Sequence, residues 1–295
     1  MPAVDRPTPI AAVLGQPREG LSRHTFIGGN LFMIRMLSRY RYELGVEALP
    51  QEMDAAAGAT RRQLQADTAS VSIARAEIAS GRLEIDVAVR NLTGHKLPTG
   101  YPARRAWLHL VVRDRDGRPV FESGAVEPNG SITGNDNDAD AARFEPHHRE
   151  ITSADQVQIY EAVMVDAAGV VTTGLLRGVR YVKDNRLLPR GFDKATAEAD
   201  IRVHGEAMQD ADFTDAGDRV RYRVDVGGAV GPFRVEADLY YQTIAYRWAQ
   251  NLRPYDAAEP KRFVSMYESM AESSATSWQG TQQRRGRCKE PRHAG

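Results

Sequence analysis

A change of hydrophobic period partway along the chain limits its fold more than any other feature. From residue 30 the apolar side chains Leu31, Ile34 and Leu37 recur at helical spacing, whereas Leu83, Ile85, Val87 and Val89 alternate with polar residues such as Glu84 and Asp86. A period near 3.6 buries one face of a helix. A period of two buries one face of a strand, because successive side chains point to opposite sides of a sheet. The chain must therefore join a helical lead-in to a sheet covered on one face.

Turn and cap chemistry divides these regions further. Asn30, after Gly28 and Gly29, is a good N-cap for a helix that stops at Gly45, and Pro50 suits the first turn of a second helix through Met53, Ala56, Ala57 and Leu64. The two form a helical hairpin. Residues 106–113 and 118–122 flank Asp114-Arg115-Asp116-Gly117, whose Asp-Gly pair supplies the positive φ of a tight hairpin. A second hairpin is expected between Val220-Val226 and Phe233-Tyr241, joined around Gly227, Gly228 and Gly231. Residues 156–165 and 170–182 are β-rich, and the polar stretches 128–150 and 183–218 read as long loops suited to binding or to packing on a partner. Phe263, Val264, Tyr267 and Met270 mark a terminal amphipathic helix, followed by a Gln/Arg tail expected to be disordered.

The expected fold is mainly β: an immunoglobulin-like antiparallel β-sandwich, preceded by a short helical hairpin and followed by a C-terminal helix. Its expected divisions are an extended leader plus helical segment over 1–80, a sandwich with long loops over 81–256, and a helix and basic tail over 257–295.

Several classes are excluded. Lys+Arg and Asp+Glu both count 39, so zero net charge gives no electrostatic case for nucleic acid or an anionic membrane. No run of 18 apolar residues argues for membrane insertion, and no basic start followed by an apolar run marks a secretion signal. The single cysteine, Cys288, provides neither an internal disulfide, a cysteine zinc site, nor a C-x-x-C-H motif. G-x-S-x-G, H-E-x-x-H, Walker and Rossmann motifs are all missing, so the chain is not expected to be an enzyme.

Seven histidines are the main chemical resource, and His24, His95, His147, His148 and His204 fall in loops or element ends. A neutral imidazole there is a metal ligand if the backbone leaves room, although a loop histidine bonded to backbone explains any one of them alone. His109 lies mid-strand and His293 in the tail. Asn135, Asp136, Asp138 and Asp140 gather oxygens as calcium requires. Ala141 replaces the EF-hand turn glycine and His147 its bidentate glutamate, so an Asx-rich turn without an ion explains the same residues equally well. One reading is thus a non-redox extracytoplasmic module binding calcium, a glycan or a protein.

Two stretches point elsewhere: His24-Thr25-Phe26-Ile27-Gly28-Gly29-Asn30, and Asn91-Leu92-Thr93-Gly94-His95-Lys96-Leu97-Pro98-Thr99-Gly100-Tyr101-Pro102 followed by Arg104, Arg105, Ala106 and Trp107. Both resemble segments of large bacterial multihaem cytochromes c, in which a region rich in C-x-x-C-H sites precedes a β-sandwich with a G-H-x-x-P-T-G element. The resemblance covers residues 1 to about 270. Met1-Pro2-Ala3-Val4 resembles the Met-Pro that follows the last such site, implying a fragment or subunit that begins just after a haem motif. The resemblance implies periplasmic electron transfer, with haem c attached outside this chain and a haem-bearing cytochrome region or subunit as partner. It makes His24 a distal ligand, His95 a ligand or haem-edge residue, and His147 and His204 further ligands of the same kind. Arg104 and Arg105, just past Pro102, then either pair with haem propionates or stand solvated, as surface arginines near a turn more often do. The chain departs from the family in lacking C-x-x-C-H, so it cannot hold haem covalently.

Overall fold

The computed structural model describes residues 4–22 and 27–278, with the backbone of 282–285 and 287–288. A ribbon of β1 (Thr8–Pro9) and β2 (Pro17–Arg18) opens the described chain. Helix α1 (Leu31–Arg39) buries Leu31, Phe32 and Met36, and ends before the expected stop at Gly45, which has φ 62°. Helix α2 (Pro50–Ala66) starts at its proline, where the Glu52 carboxylate accepts the Leu49 N–H at 2.8 Å.

The first strands are β3 (Ala69–Ala79), β4 (Arg82–Asn91), β5 (Arg105–Arg113) and β6 (Pro119–Ser123). After the four-residue α3 (Asp136–Ala139) come β7 (Glu150–Ile151), β8 (Ile159–Tyr160), β9 (Ala162–Val165), β10 (Val171–Thr172) and β11 (Arg180–Asp184). Next are β12 (Asp218–Asp225), β13 (Arg234–Gln242), α4 (Tyr246–Gln250) and α5 (Ala258–Glu268). The described chain closes with β14 (Ala275–Ser277), β15 (Gln282–Arg285) and β16 (Arg287–Cys288).

Two sheets form the sandwich. One runs β16-β3-β4-β12-β7; the other runs β14-β13-β5-β6, with β15 on β13 and β8 on β5, and a small sheet β10-β9-β11 stands beside them. Leu83, Ile85, Val87 and Val89 of β4 share a core with Leu108, Leu110 and Val112 of β5 and Val235, Ala237 and Leu239 of β13. The alternation in the sequence is thus the inner face of one sheet packed on the other. Among the described residues no helix is long and apolar enough to cross a membrane.

Three features differ from expectation. The sheet begins at Ala69, not at 81, because β3 pairs along the length of β4. Small residues such as Ser70, Ser72 and Ala76 blunt its hydrophobic signal, and Ser80 (φ 51°) with Gly81 (φ 77°) gives both turn residues the positive φ that a tight hairpin favours. The strands β12 and β13 are not a hairpin. The first pairs with β4 from Asp218↔Val89 to Asp225↔Arg82, the second with β5 from Arg234↔Arg113 to Gln242↔Arg105, so residues 226–233 cross between sheets. Within the tail expected to be disordered, β15 pairs with β13 and β16 with β3, because those edges still offer unpaired backbone groups. The β5–β6 hairpin forms where expected, with Asp114 Oδ1 accepting the N–H groups of Asp116 and Arg118.

Candidate functional site

The end of β4, the C-terminal end of α2 and the Gly28–Gly29 segment surround a cavity of about 750 Å³. That volume lies within the range of cofactor pockets. Leu64 and Leu97 contribute to its apolar lining, and Tyr241 stacks on Trp278 with ring centroids 4.7 Å apart and an 11° interplanar angle. Arg104 also lines it, anchored by Nη1 donating to the Thr99 carbonyl at 2.9 Å and Nη2 to Asn30 Oδ1 at 3.1 Å. A Cβ built on Gly28 or Gly94 meets no atom within 4 Å, so both leave open space at the wall. A Cβ on Gly29 would meet Tyr241 Oη at 2.8 Å, so a larger residue there would displace the tyrosine hydroxyl that lines the cavity.

His95 belongs to this cavity, in the loop that leaves β4. The loop is folded around Asn91, a buried side chain at the strand end. Asn91 Oδ1 accepts the Thr93 N–H at 2.8 Å and the Thr93 hydroxyl at 2.7 Å, while its Nδ2 donates to the carbonyls of His95 at 2.7 Å and Leu187 at 3.1 Å. His95 Nδ1 lies 3.1 Å from the Lys96 carbonyl oxygen and 3.2 Å from Thr93 Oγ1. A carbonyl can only accept, so the first contact assigns the proton to Nδ1 and leaves the lone pair on Nε2. No described residue is hydrogen-bonded to Nε2. Metal-ligating histidines commonly show this arrangement, with the second ring nitrogen held by a carboxylate, a backbone carbonyl or water.

The other candidates are not brought here. His24 lies outside the described residues. His147 is buried, with Nε2 3.1 Å from Asp210 Oδ2 and Nδ1 accepting from Gln158 Nε2 at 2.9 Å and Asn185 Nδ2 at 3.1 Å. Both ring nitrogens are occupied. His148 Nε2 is bound by Glu145 at 2.6 Å. His204 backbone groups bridge to Asp184, its ring packs near Tyr181, and burial followed by the Arg202 charge lowers its pKa.

Arg105 points away from Arg104. It is 1% exposed and forms a two-pronged pair with Asp138, both contacts at 2.8 Å, while Nε donates to Gln242. Burial alone lowers the guanidinium pKa, but Asp138 reverses this and raises it. Arg105 is therefore a core residue with no free edge for a propionate. The same pair dismantles the expected calcium shell. Asp138 also accepts the Ile132 N–H, Asn135 caps α3, Asp136 pairs with Arg143 at 2.6 Å, and Asp140 accepts the Ala142 N–H.

Among the described residues, His147, Asp210 and Asp218 form a group with ligand atoms within 4.8 Å of one another. Each of their ligand atoms already holds a hydrogen-bond partner. Asp218 accepts from Gln158, Tyr160 and the Arg219 N–H. Burial raises the Asp218 pKa; burial also opposes the Asp210 charge, but hydrogen bonds from His147 and Asp212 outweigh it and lower that pKa. These contacts join residues far apart in the chain, so no local pattern announces them. Asn91 and Thr93 do carry a local signal, an Asx-type turn at a strand end.

The side chains present fit a haem edge at the cavity. His95 offers an imidazole lone pair, Arg104 a cation for a carboxylate, and Gly28 and Gly94 leave space for a flat group. No protein-family model matches the chain, and no curated protein matches it. A penta-haem cytochrome c552 from Thermochromatium tepidum is a similar solved structure, 13% identical, with a TM-score of 0.44. The match covers 76% of this chain and 41% of that cytochrome, so the chain spans well under half of its length.

Proposed function

We propose that the chain is the sandwich end of a periplasmic multihaem cytochrome c, as part of a longer polypeptide or as a subunit. Its cavity receives the edge of a haem c attached to the haem-bearing region. One observation carries the reading: His95 has Nδ1 facing an acceptor-only carbonyl, Nε2 without a hydrogen-bond partner among the described residues, and a place in the wall of a cavity of about 750 Å³. The Gly94–Gly100 element and the His24–Asn30 stretch supply the resemblance that names the ligand.

A haem held there by His95 and Arg104 would supply outer-sphere electron transfer, not substrate chemistry. The chain's own residues bind and orient. His95 offers an electron pair at Nε2, Arg104 places a fixed cation for a carboxylate, and the Tyr241–Trp278 stack excludes water from one wall. This is a ligating and docking role without substrate turnover. Titrating the 295-residue chain with hemin while following the Soret band tests it. His95→Ala should weaken binding by about tenfold or more, and Arg104→Ala by less, on the scale of lost ligands and charge-assisted bonds. Equal binding by wild type and His95→Ala would remove the reading.

A further inference from the structure

We infer that Thr93, held by Asn91, is a positioning residue that fixes the tautomer of His95 and so keeps Nε2 available as a donor. The inference rests on the proposed role of His95 and adds two residues that act through its ring, Thr93 and Asn91.

The Thr93 hydroxyl has a single proton and two acceptors in reach, Asn91 Oδ1 at 2.7 Å and the His95 carbonyl at 3.1 Å. The nearer is a side-chain amide oxygen fixed by its own buried network, since Asn91 Nδ2 is committed to two carbonyls and Oδ1 also takes the Thr93 N–H. With its proton on Asn91, the Thr93 oxygen keeps lone pairs toward His95 Nδ1, 3.2 Å away. Nδ1 then faces two acceptors, the Thr93 oxygen and the Lys96 carbonyl at 3.1 Å. An unprotonated Nδ1 would set lone pair against lone pair at both contacts. The exposed ring would otherwise exchange tautomers in water, so the Thr93 oxygen, oriented by a buried asparagine, joins the Lys96 carbonyl in holding the proton on Nδ1.

Valine in place of Thr93 removes the hydroxyl at nearly constant shape and keeps the backbone N–H bond to Asn91, so the loop survives. Serine restores the hydroxyl. The test is a long-range proton–nitrogen correlation spectrum of the chain labelled with ¹⁵N-histidine, without cofactor, at a pH where imidazoles are neutral. Wild type should show His95 as the Nδ1–H form, Thr93→Val should show added Nε2–H form, and Thr93→Ser should return to wild type. Hemin titration of the same proteins is the second arm, where Thr93→Val should raise Kd about tenfold, as lost outer-shell partners do. A wild-type His95 in the Nε2–H form, or a Thr93→Val spectrum identical to wild type, would overturn the inference. If hemin instead binds wild type and His95→Ala equally, the haem reading fails while the tautomer spectra still decide the role of Thr93.

Discussion

His95 and Arg104 stand at the cavity, whereas His147 and Arg105 are sealed in the interior, and the two pairs are built from the same residue types. In the interior every polar atom of the pair meets a partner: Asp210, Gln158 and Asn185 on the His147 ring, Asp138 and Gln242 on the Arg105 guanidinium. At the cavity, His95 Nε2 has no hydrogen-bond partner among the described residues, and Arg104 is anchored at its two terminal nitrogens while still lining free space. Saturation separates a group that specifies the fold from one that can meet a ligand. Burying a charge or an imidazole is costly unless all its partners are present, so the interior pair has no capacity left for binding.

The contrast can be broken from its interior side first. Arg105→Ala leaves Asp138 charged and buried, and should cost about 3–5 kcal/mol in urea unfolding. A loss below ~1 kcal/mol would mean Arg105 is not the structural member of the pair. Next, His147→Leu leaves Asp210, Gln158 and Asn185 short of a partner, and should cost about 2–3 kcal/mol by the same measurement. A smaller effect comes from pH. Burial opposes the Asp184 charge, but Arg186 and Lys96 outweigh it and hold its pKa below the usual 3.8. The folded state then binds fewer protons than the unfolded one. Its contribution is complete above the unfolded value and lost as pH falls through the folded one, so Asp184→Asn should flatten the acid limb of a stability profile. An unchanged acid limb would contradict that assignment. Smallest of all, His95→Ala should shift stability by no more than about 0.5 kcal/mol, because a side chain with an open ring nitrogen supports little of the fold.

What the sequence disclosed follows the range of the interactions. The β5–β6 hairpin was legible because Asp114 and Gly117 complete the turn within five residues. The β12–β13 pair reads as a hairpin because two alternating strands beside a glycine-rich link look alike whether they pair together or belong to opposite sheets. Their long-range partners β4 and β5 decide that. Strand β3 escaped because serine and alanine hide a period of two. The site divides in the same way. His95 stood out through Gly94 and Pro98, and the Asn91–Thr93 turn was local, but Tyr241, Trp278 and the end of α2 reach the cavity only through the fold. Arg104 and Arg105 look equivalent in sequence, and only Asp138, folded back from residues far along the chain, tells them apart.

The most direct test of His95 as the open donor is electron paramagnetic resonance of the hemin-loaded chain, comparing natural with ¹⁵N-labelled histidine. In a His24→Ala background, which removes the distal ligand that the resemblance offers, coupling of a histidine nitrogen to ferric iron should persist in His204→Ala and disappear in His95→Ala. Coupling that survives His95→Ala in that background would contradict the assignment of His95.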